Sequence, residues 1–396
     1  MEQPIYLDYN STTPVDPEVL QAMLPFFTSS YGNPAAITHS YGWEARQAID
    51  LAKKQVAQLL IPTDDAASQL AKKNIIWTSG ATESINIALF GTIRSFLKQN
   101  KKAHLITTDV EHKAVITTVE ALKTEGIEVT YLKSDLYGRV TAQQVAAAIR
   151  PHTRLISIIM GQNEIGTINP ILDIGAVARE HNILFHVDAA QSFGKIEINV
   201  QKMNVDFLSA SGHKIYAPKG IGILYAKEYE NMEPILFGGN SQLGLRPGTI
   251  NTAGAVAFGK ASDLCRMNLN FEMKRLTSMR DAFIEKILSE VPGSQLNGHP
   301  IERLSTNISL SFSGLSTDIF SLGMNHLAIS SGSSCSSGES SHVLEAIGLS
   351  PALARATIRI GIGRFTTEND LKVASDIIIS KIRENLKLTS QTFDNI

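Results

Sequence analysis

The sequence is poor in cysteine, with two in a chain of 396 residues. So few thiols exclude a disulfide framework and are typical of a protein from a reducing cytosol. An excess of charge is missing too, since the formal net charge is −2, which gives no general attraction to nucleic acid or to a membrane surface. Apolar runs long enough to span a bilayer are absent, and the acidic start MEQPIYLDYN is unlike a signal peptide. We therefore expect a cytoplasmic protein that binds neither membranes nor nucleic acid directly.

The chain is too long for one compact core, and its 43% apolar and 19% charged residues are ordinary for a globular protein. Over much of its length, short apolar runs alternate with helical patterns such as the one at 173–181. This alternation predicts crossover units and a mostly parallel sheet. The runs expected to form its strands are 75–77, 103–107, 155–160, 183–187 and 207–209.

The pattern changes after residue 261. A charged amphipathic helix is predicted at about 263–290, followed by alternating strands at 307–312 and 357–362. In the last of these, TIRIGI, the isoleucines face one way and Arg359 lies on the opposite, polar face, where a guanidinium can grip a carboxylate with two hydrogen bonds. A surface ion pair would explain Arg359 as well. This part of the chain predicts a smaller α+β domain.

The stretch TSGAT, at 78–82, joins a predicted strand to a predicted helix. Ligands of an open α/β sheet bind outside the carboxyl ends of the strands. Small residues there let backbone amides approach an anion, and the helix N-terminus favours its charge. The stretch therefore predicts a phosphate cradle, with a simple capping box at Thr82 as the alternative.

Three further side chains follow predicted strands. Asp188, in HVDAAQ, is either a helix cap or a carboxylate that holds a protonated ring nitrogen. Lys214, in SGHK, is either a solvated charge or a lysine that forms a Schiff base. His112, in EHKAV, is either a surface histidine or an aromatic face that stacks on a ring. Together with the phosphate cradle, these are the components of a pyridoxal 5′-phosphate (PLP) site.

The ordered set of motifs resembles the cysteine desulfurases of the class V aminotransferase fold over nearly the whole chain. The matching segments are YLDYNSTTPVDP, GNPAAITHSYG, TSGATESIN, EHKAV, NEIGTINP, HVDAAQSFGK, SGHKIYAPKGIG, LRPGTIN, SSGSSCSSG and IRIGIGRFT. The resemblance implies the α/β fold of the PLP-dependent transferases (aminotransferase type I-like). It also implies a large PLP-binding domain with a mostly parallel sheet at 16–261, and a small α+β domain made of 1–15 and 262–396.

The resemblance also implies a role for each matching residue. Lys214 would carry PLP covalently, Asp188 would pair with its ring nitrogen, and His112 would stack on the ring and shuttle protons. The residues expected around the phosphate and the ring hydroxyl are Ala81, Thr82, Ser211, His213, Asn163 and Gln191, together with Thr249 from the other subunit of a homodimer. Asn33 and Arg359 would hold the carboxylate of an L-cysteine substrate.

Cys335 lies in AISSGSSCSSGESS, at 328–341, which has too little apolar mass to pack into a core. The resemblance makes its thiolate the nucleophile that takes the substrate sulfur as a persulfide and passes it to an acceptor protein. A mobile tether would let the thiol visit both the cofactor and that partner. Iron–sulfur assembly, tRNA thiolation and DNA phosphorothioation all remain open as pathways. No resident metal is expected, although Cys335 could ligate an iron–sulfur cluster transiently; Cys265 is expected to pack as a small apolar residue.

Two rival interpretations remain open. A selenocysteine lyase or an aminotransferase of the same fold would not need a thiol in such a loop. A non-catalytic sulfur-relay scaffold would not need both Lys214 and Asp188. The chain also departs from the family pattern, because Gln162 replaces the first of two asparagines, GGNSQLGLRPGT replaces a more glycine-rich segment, and the segment between Cys335 and His342 is short.

Overall fold

The computed structural model describes residues 3–61, 69–70, 73–227, 229, 231–315, 324–331 and 341–393, with side chains as far as residue 387. The stretch 332–340, which contains Cys335, lies outside these ranges. The first elements of the chain are β1 (Ile5–Tyr6), α1 (Pro17–Met23), α2 (Pro25–Thr28) and α3 (Ser40–Leu60). Proline starts both α1 and α2, where its missing N–H would have no partner within the helix.

A seven-stranded sheet forms the largest layer. Its strands in chain order are β2 (Ile75–Thr78), β3 (His104–Thr108), β4 (Glu128–Leu132), β5 (Thr153–Ile159), β6 (Leu184–Asp188), β7 (Phe207–Ser211) and β8 (Gly222–Ala226). The spatial order is β2-β8-β7-β6-β5-β3-β4; β8 is antiparallel to both its neighbours, and the other pairs are parallel. The five predicted strands and the mostly parallel sheet are confirmed, with β4 and β8 in addition.

Helices cover both faces of this sheet. They include α4 (Ala81–Lys98), α5 (Lys113–Thr124), α6 (Ala142–Ala148) and α7 (Ile171–Glu180), the last of which corresponds to the helix predicted at 173–181. Side chains of β2 alternate between two cores: Ile75 and Trp77 pack into one hydrophobic cluster with α3, and Ile76 packs into another with α4 and α5. Because successive side chains of a strand point to opposite faces, this division shows that both faces are buried.

A single long helix, α8 (Thr252–Glu290), links the two main cores. Phe258 from its first half packs with the large sheet, and Phe283 from its second half packs in the second core. The predicted start at about 263 is wrong, because the helix begins at Thr252 and close packing overrides the weak helix preference of its glycines. At Gly259, a Cβ would lie 2.6 Å from the Cα of Ala52 in α3. The expected boundary between residues 261 and 262 therefore falls inside one continuous helix.

A second, smaller sheet follows. The remaining elements are β9 (Ser294–Leu296), β10 (Asn307–Phe312), β11 (Leu327–Ala328), β12 (Ser330–Ser331), α9 (His342–Ala346), α10 (Pro351–Arg355), β13 (Thr357–Gly361) and α11 (Glu368–Phe393). The antiparallel order β12-β13-β10-β9 confirms the strands predicted at 307–312 and 357–362. The N-terminal strand β1 pairs in parallel with β11, and Leu7 packs in this second core. Within the described ranges, no helix combines the length and apolar character needed to cross a bilayer.

Candidate active site

A cavity of about 640 Å³ opens at the carboxyl ends of β2, β3, β5, β6 and β7. Most of the residues predicted for the site line it: Ala81, Thr82, His112, Asn163, Asp188, Gln191, Ser211, His213, Lys214 and Arg359. Asn10, Ser11 and Thr12 line it as well, as do Glu83 and Lys219. The sheet thus brings together side chains that lie far apart in the sequence.

Lys214 ends a short 3₁₀ turn, Gly212–Lys214, directly after β7. Its Nζ donates to the backbone oxygens of Asn10 and Ser11, both at 2.6 Å, so both partners are neutral carbonyls. Burial, together with the positive charges of Lys195 and Arg359, lowers the pKa of Lys214 to about 7. About half of this amine is therefore neutral at pH 7, which does not fit a fully solvated lysine.

Asp188 ends β6 and is almost completely buried. One oxygen accepts a hydrogen bond from the backbone N–H of Ala190 at 2.9 Å, and residues 190–195 form turns, so Asp188 caps a turn and not a helix. Burial raises the pKa of Asp188, while His112 and Lys214 act in the opposite direction. Such a carboxylate gains stability from any cation placed against it.

The first turn of α4 faces the cavity without a capping side chain. The N-cap of α4 is Gly80, which has no side chain to cap the helix. The capping box at Thr82 is therefore wrong, and Glu83 instead accepts from the backbone N–H of Ser79 at 2.5 Å. A Cβ on Gly222 of β8 would lie 2.5 Å from the Cα of Gly80. Two glycines therefore let strand and helix approach closely, and the backbone amides of the first turn remain available to an anion.

Two histidines complete the polar wall. Burial lowers the pKa of His213 to about 4, with Lys214 adding to the effect, so this ring is neutral at physiological pH. His112 is the N-cap of α5, and its Nδ1 accepts from the backbone N–H of Ala114 at 3.1 Å. An accepting Nδ1 places the ring proton of the neutral histidine on Nε2. His112 is exposed at the rim of the cavity, where its ring can contact a bound ligand.

Arg359 lies on β13, one of the two inner strands of the small sheet, where the predicted alternation is confirmed because Ile358 and Ile360 are fully buried. Its Nη2 donates to Asp8 Oδ1 at 3.0 Å and to Ser330 Oγ at 2.9 Å. The ion pair proposed as the alternative is thus present, but it lies in the wall of the cavity. Arg359 Nε is buried without a hydrogen-bond partner among the described residues.

Two predicted residues do not line the cavity of this chain. Asn33 is exposed, and its side-chain oxygen accepts from the backbone N–H of Ala35 at 2.9 Å. Thr249 is also exposed, although Arg246 of the same segment forms an ion pair with Glu83 at 3.0 Å. Cys335 lies outside the described residues.

Cys265 behaves as predicted, because it is buried in the main core. Burial raises the pKa of its thiol to about 11, so it remains a thiol at neutral pH.

Comparisons with known proteins agree with this geometry. Residues 5–373 match the family model described as aminotransferase class-V. The chain is 43% identical over 390 residues to "Cysteine desulfurase IscS" of Rickettsia typhi, an alignment that covers 98% of this chain and 93% of that protein.

Solved structures share the fold over nearly the whole chain. A structure described as "NifS-like protein" superposes with a TM-score of 0.85 at 32% identity, covering 98% of this chain and 100% of that one. A second, "SspA in complex with cysteine", superposes with a TM-score of 0.79 at 40% identity, covering 91% and 99% respectively.

Proposed function

Because the chain belongs to the class V aminotransferase family and, within it, to the cysteine desulfurases, we propose that it takes sulfur from L-cysteine onto a thiol of its own and releases L-alanine. The observation that carries this proposal is the convergence of Lys214, Asp188 and an uncapped helix N-terminus around one cavity. The related protein SspA has been solved in complex with cysteine, which supports the same substrate here.

The residues of the cavity fit PLP. Asp188 is a buried carboxylate with a raised pKa, which a protonated ring nitrogen would stabilise in its charged form. The amides at the start of α4, with Ser211 and neutral His213, would hold the phosphate together with Ala81 and Thr82. Asn163 Oδ1 is buried without a partner among the described residues, and Asn163 and Gln191 would contact the ring hydroxyl. The amine of Lys214, with its low pKa, would form the covalent bond.

When bound, PLP supplies an electron sink that labilises the bonds around the Cα of an amino acid. Lys214 would then remove the Cα proton with its Nζ, a role for which a lysine of pKa about 7 is suited near neutral pH. His112 would stack on the cofactor ring, and its Nε2–H would exchange protons at the rim of the cavity.

Arg359 is proposed to hold the substrate carboxylate. Its Nη2 donates to Asp8 and Ser330 and its Nη1 to the backbone oxygen of Asn163 at 3.4 Å, which holds the guanidinium in the cavity wall, where a substrate carboxylate would meet its positive charge. A charge-assisted pair of this kind fixes the substrate's orientation as well as its affinity. Asn33 stays a prediction as the second contact to this carboxylate.

Cys335 is proposed as the thiol that accepts the sulfur. The described residues on both sides of its stretch are attached beside the cavity: Ser330 Oγ accepts from Arg359, and His342 Nε2 lies 3.0 Å from the backbone oxygen of Glu111. In the proposed step the thiolate of Cys335 attacks the substrate sulfur, an S–S bond forms and the C–S bond breaks. The electron pair of that bond stays on the Cβ, which gains a proton as alanine forms.

A homodimer is proposed on the exposed apolar side chains near the N-terminus and in the segment 236–243. They include Leu24, Phe27, Tyr31, Trp43 and Phe237, of which Phe237 is 87% exposed. The exposed Thr249 would then reach the phosphate of the partner chain. The sulfur acceptor, whether in iron–sulfur assembly, tRNA thiolation or DNA phosphorothioation, stays open, and the cytoplasmic location stays a prediction from the low cysteine content.

One experiment tests the proposal. The purified full-length protein with added PLP should release equal amounts of alanine and, with a reductant, sulfide from L-cysteine, and Lys214→Ala should abolish both. Release of sulfur without alanine, or activity that survives Lys214→Ala, would contradict it. Parallel assays with L-selenocysteine separate a desulfurase from a selenocysteine lyase.

A further inference from the structure

Lys195 is a half-buried cation to which the proposed reaction assigns no role. It lies four residues after Gln191 in the turn that follows β6, and its Nζ donates to Gln191 Oε1 at 3.1 Å. Among the described residues, no carboxylate forms an ion pair with it. Desolvation by the surrounding protein lowers the pKa of Lys195 to about 8. A desolvated lysine with a strongly lowered pKa is a candidate for a functional role.

A chain of hydrogen bonds connects Lys195 to Lys214. Gln191 Nε2 donates to the backbone oxygen of Asn10 at 2.7 Å, and Lys214 Nζ donates to the same oxygen at 2.6 Å. Because an ammonium only donates and a carbonyl only accepts, the two ends of the Gln191 amide cannot be exchanged. Lys195 and Asn10 therefore fix the side chain of Gln191 with its NH₂ group toward Asn10.

Among the residues that the structure describes on its other side, none compensates the positive charge of Lys195. Lys195 and Lys214 line a second, small cavity of about 20 Å³ together with Cys265 and Glu272. Glu272 is already paired, since it accepts from Arg364 at 2.6 Å. Cys265 is an uncharged thiol, because burial raises its pKa to about 11.

We propose that Lys195 is a positioning residue for Lys214, which fixes the amide of Gln191 and favours the neutral form of the Lys214 amine through its charge. This inference rests on the proposed function only in giving Lys214 the role of binding the cofactor. The other charges that act on Lys214 are Arg359, in the same direction, and Asp8 and Asp188, in the opposite one. With all of them present the pKa of Lys214 is about 7, so that about half of the amine is neutral at pH 7.

The test compares Lys195→Met, which removes the charge, with Lys195→Arg, which keeps it. The full-length chain is freed of cofactor and pulsed with acetic anhydride over a series of pH values. Acetylation of Lys214 is then quantified by mass spectrometry, with Lys133, whose side chain is 86% exposed, as the internal reference. Because only the neutral amine reacts, the midpoint of the pH profile reports the protonation of Lys214.

The Lys195→Met variant should move this midpoint up by about one pH unit, which lowers the neutral fraction at pH 7 about fivefold. The Lys195→Arg variant should keep the parental midpoint. An unchanged midpoint in Lys195→Met overturns the inference, and so does an equal shift in both variants. If Lys195→Met does not fold, Lys195→Gln gives the same comparison, because it removes the charge and keeps a donor for Gln191.

A second readout uses the loaded protein. The pH at which the absorbance of the bound cofactor changes should rise in Lys195→Met and stay parental in Lys195→Arg; an unchanged value in both counts against the inference. The two proposals can fail separately. A chain that takes up no PLP would contradict the proposed function, while the acetylation profile would still decide the role of Lys195.

Discussion

Replacing Gly222 with alanine tests whether the phosphate cradle depends on close approach of the backbone. A Cβ at residue 222 would lie 2.5 Å from the Cα of Gly80 and 2.7 Å from the backbone oxygen of Ala210. Both neighbours are backbone atoms of the large sheet and of the turn into α4, so no flexible side chain can move aside. The start of α4 must therefore shift away from the cavity wall.

Overpacking of this kind costs about 1–3 kcal/mol, which for a chain of this size corresponds to a fall in Tm of about 1–4 °C. Displacing the amides of the first turn should also raise the apparent Kd for PLP at least about tenfold, or about 1.4 kcal/mol. Glu180→Ala is the control, because Glu180 is exposed at the end of α7, outside both the cavity and the proposed dimer surface. Differential scanning fluorimetry and absorbance titration measure the two quantities. If Gly222→Ala equals the control in both, close approach of the backbone is not what builds this cradle.

Three further predictions concern the proposed chemistry. Arg359→Ala should still take up PLP but raise KM for L-cysteine by at least about thirtyfold, since losing a charge-assisted pair in a site costs about 2–5 kcal/mol; an unchanged KM would leave Arg359 a structural role. Cys335→Ser should still bind PLP and L-cysteine but form no persulfide, whereas Cys265→Ser should match the parent; turnover at the parental rate by Cys335→Ser would assign the nucleophile elsewhere. Because the pKa of Lys214 is lowered to about 7, the rate of PLP uptake by the cofactor-free chain should rise about tenfold for each unit of pH increase up to pH 7 and stay constant above it. Stopped-flow measurements give this pH profile, and a midpoint near the pKa of an ordinary lysine would refute the assignment.

Much of the fold was predictable because the sequence patterns that indicate strands and helices are local. Buried parallel strands read as continuous apolar runs, and the strands at 155–160 and 183–187 appear as β5 and β6. Strand β4 has no such signal, since its sequence EVTYL is half-exposed at the edge of the sheet. The first half of α8 was missed for a different reason. Gly254 and Gly259 weaken its helix propensity, and the close packing of Gly259 against Ala52 of α3, which compensates for this, is a tertiary effect.

The site was predictable where a motif follows a strand, as at Asp188 and Lys214. The role of Asn10 was not, because its backbone oxygen reaches Lys214 across more than two hundred residues of sequence. Lys195 gives no signal of its own either, since a lysine four residues after a glutamine normally points to solvent. Its significance depends on what the turn after β6 encloses, and that is decided by the whole sheet.

The positions of these charges suggest why the cavity is built from both parts of the chain. Lys214 comes from the large sheet, and Arg359 comes from the small one. The N-terminal segment joins them, because Asp8 pairs with Arg359 while the backbone of Asn10 accepts from Lys214. A movement of the small sheet would thus change the surroundings of Lys214 through Asp8 and Asn10. Binding of a carboxylate at Arg359 and the protonation of Lys214 are therefore coupled by linkage, since a second anion beside Asp8 would favour the charged form of the amine and so prepare it to hold the Cα proton.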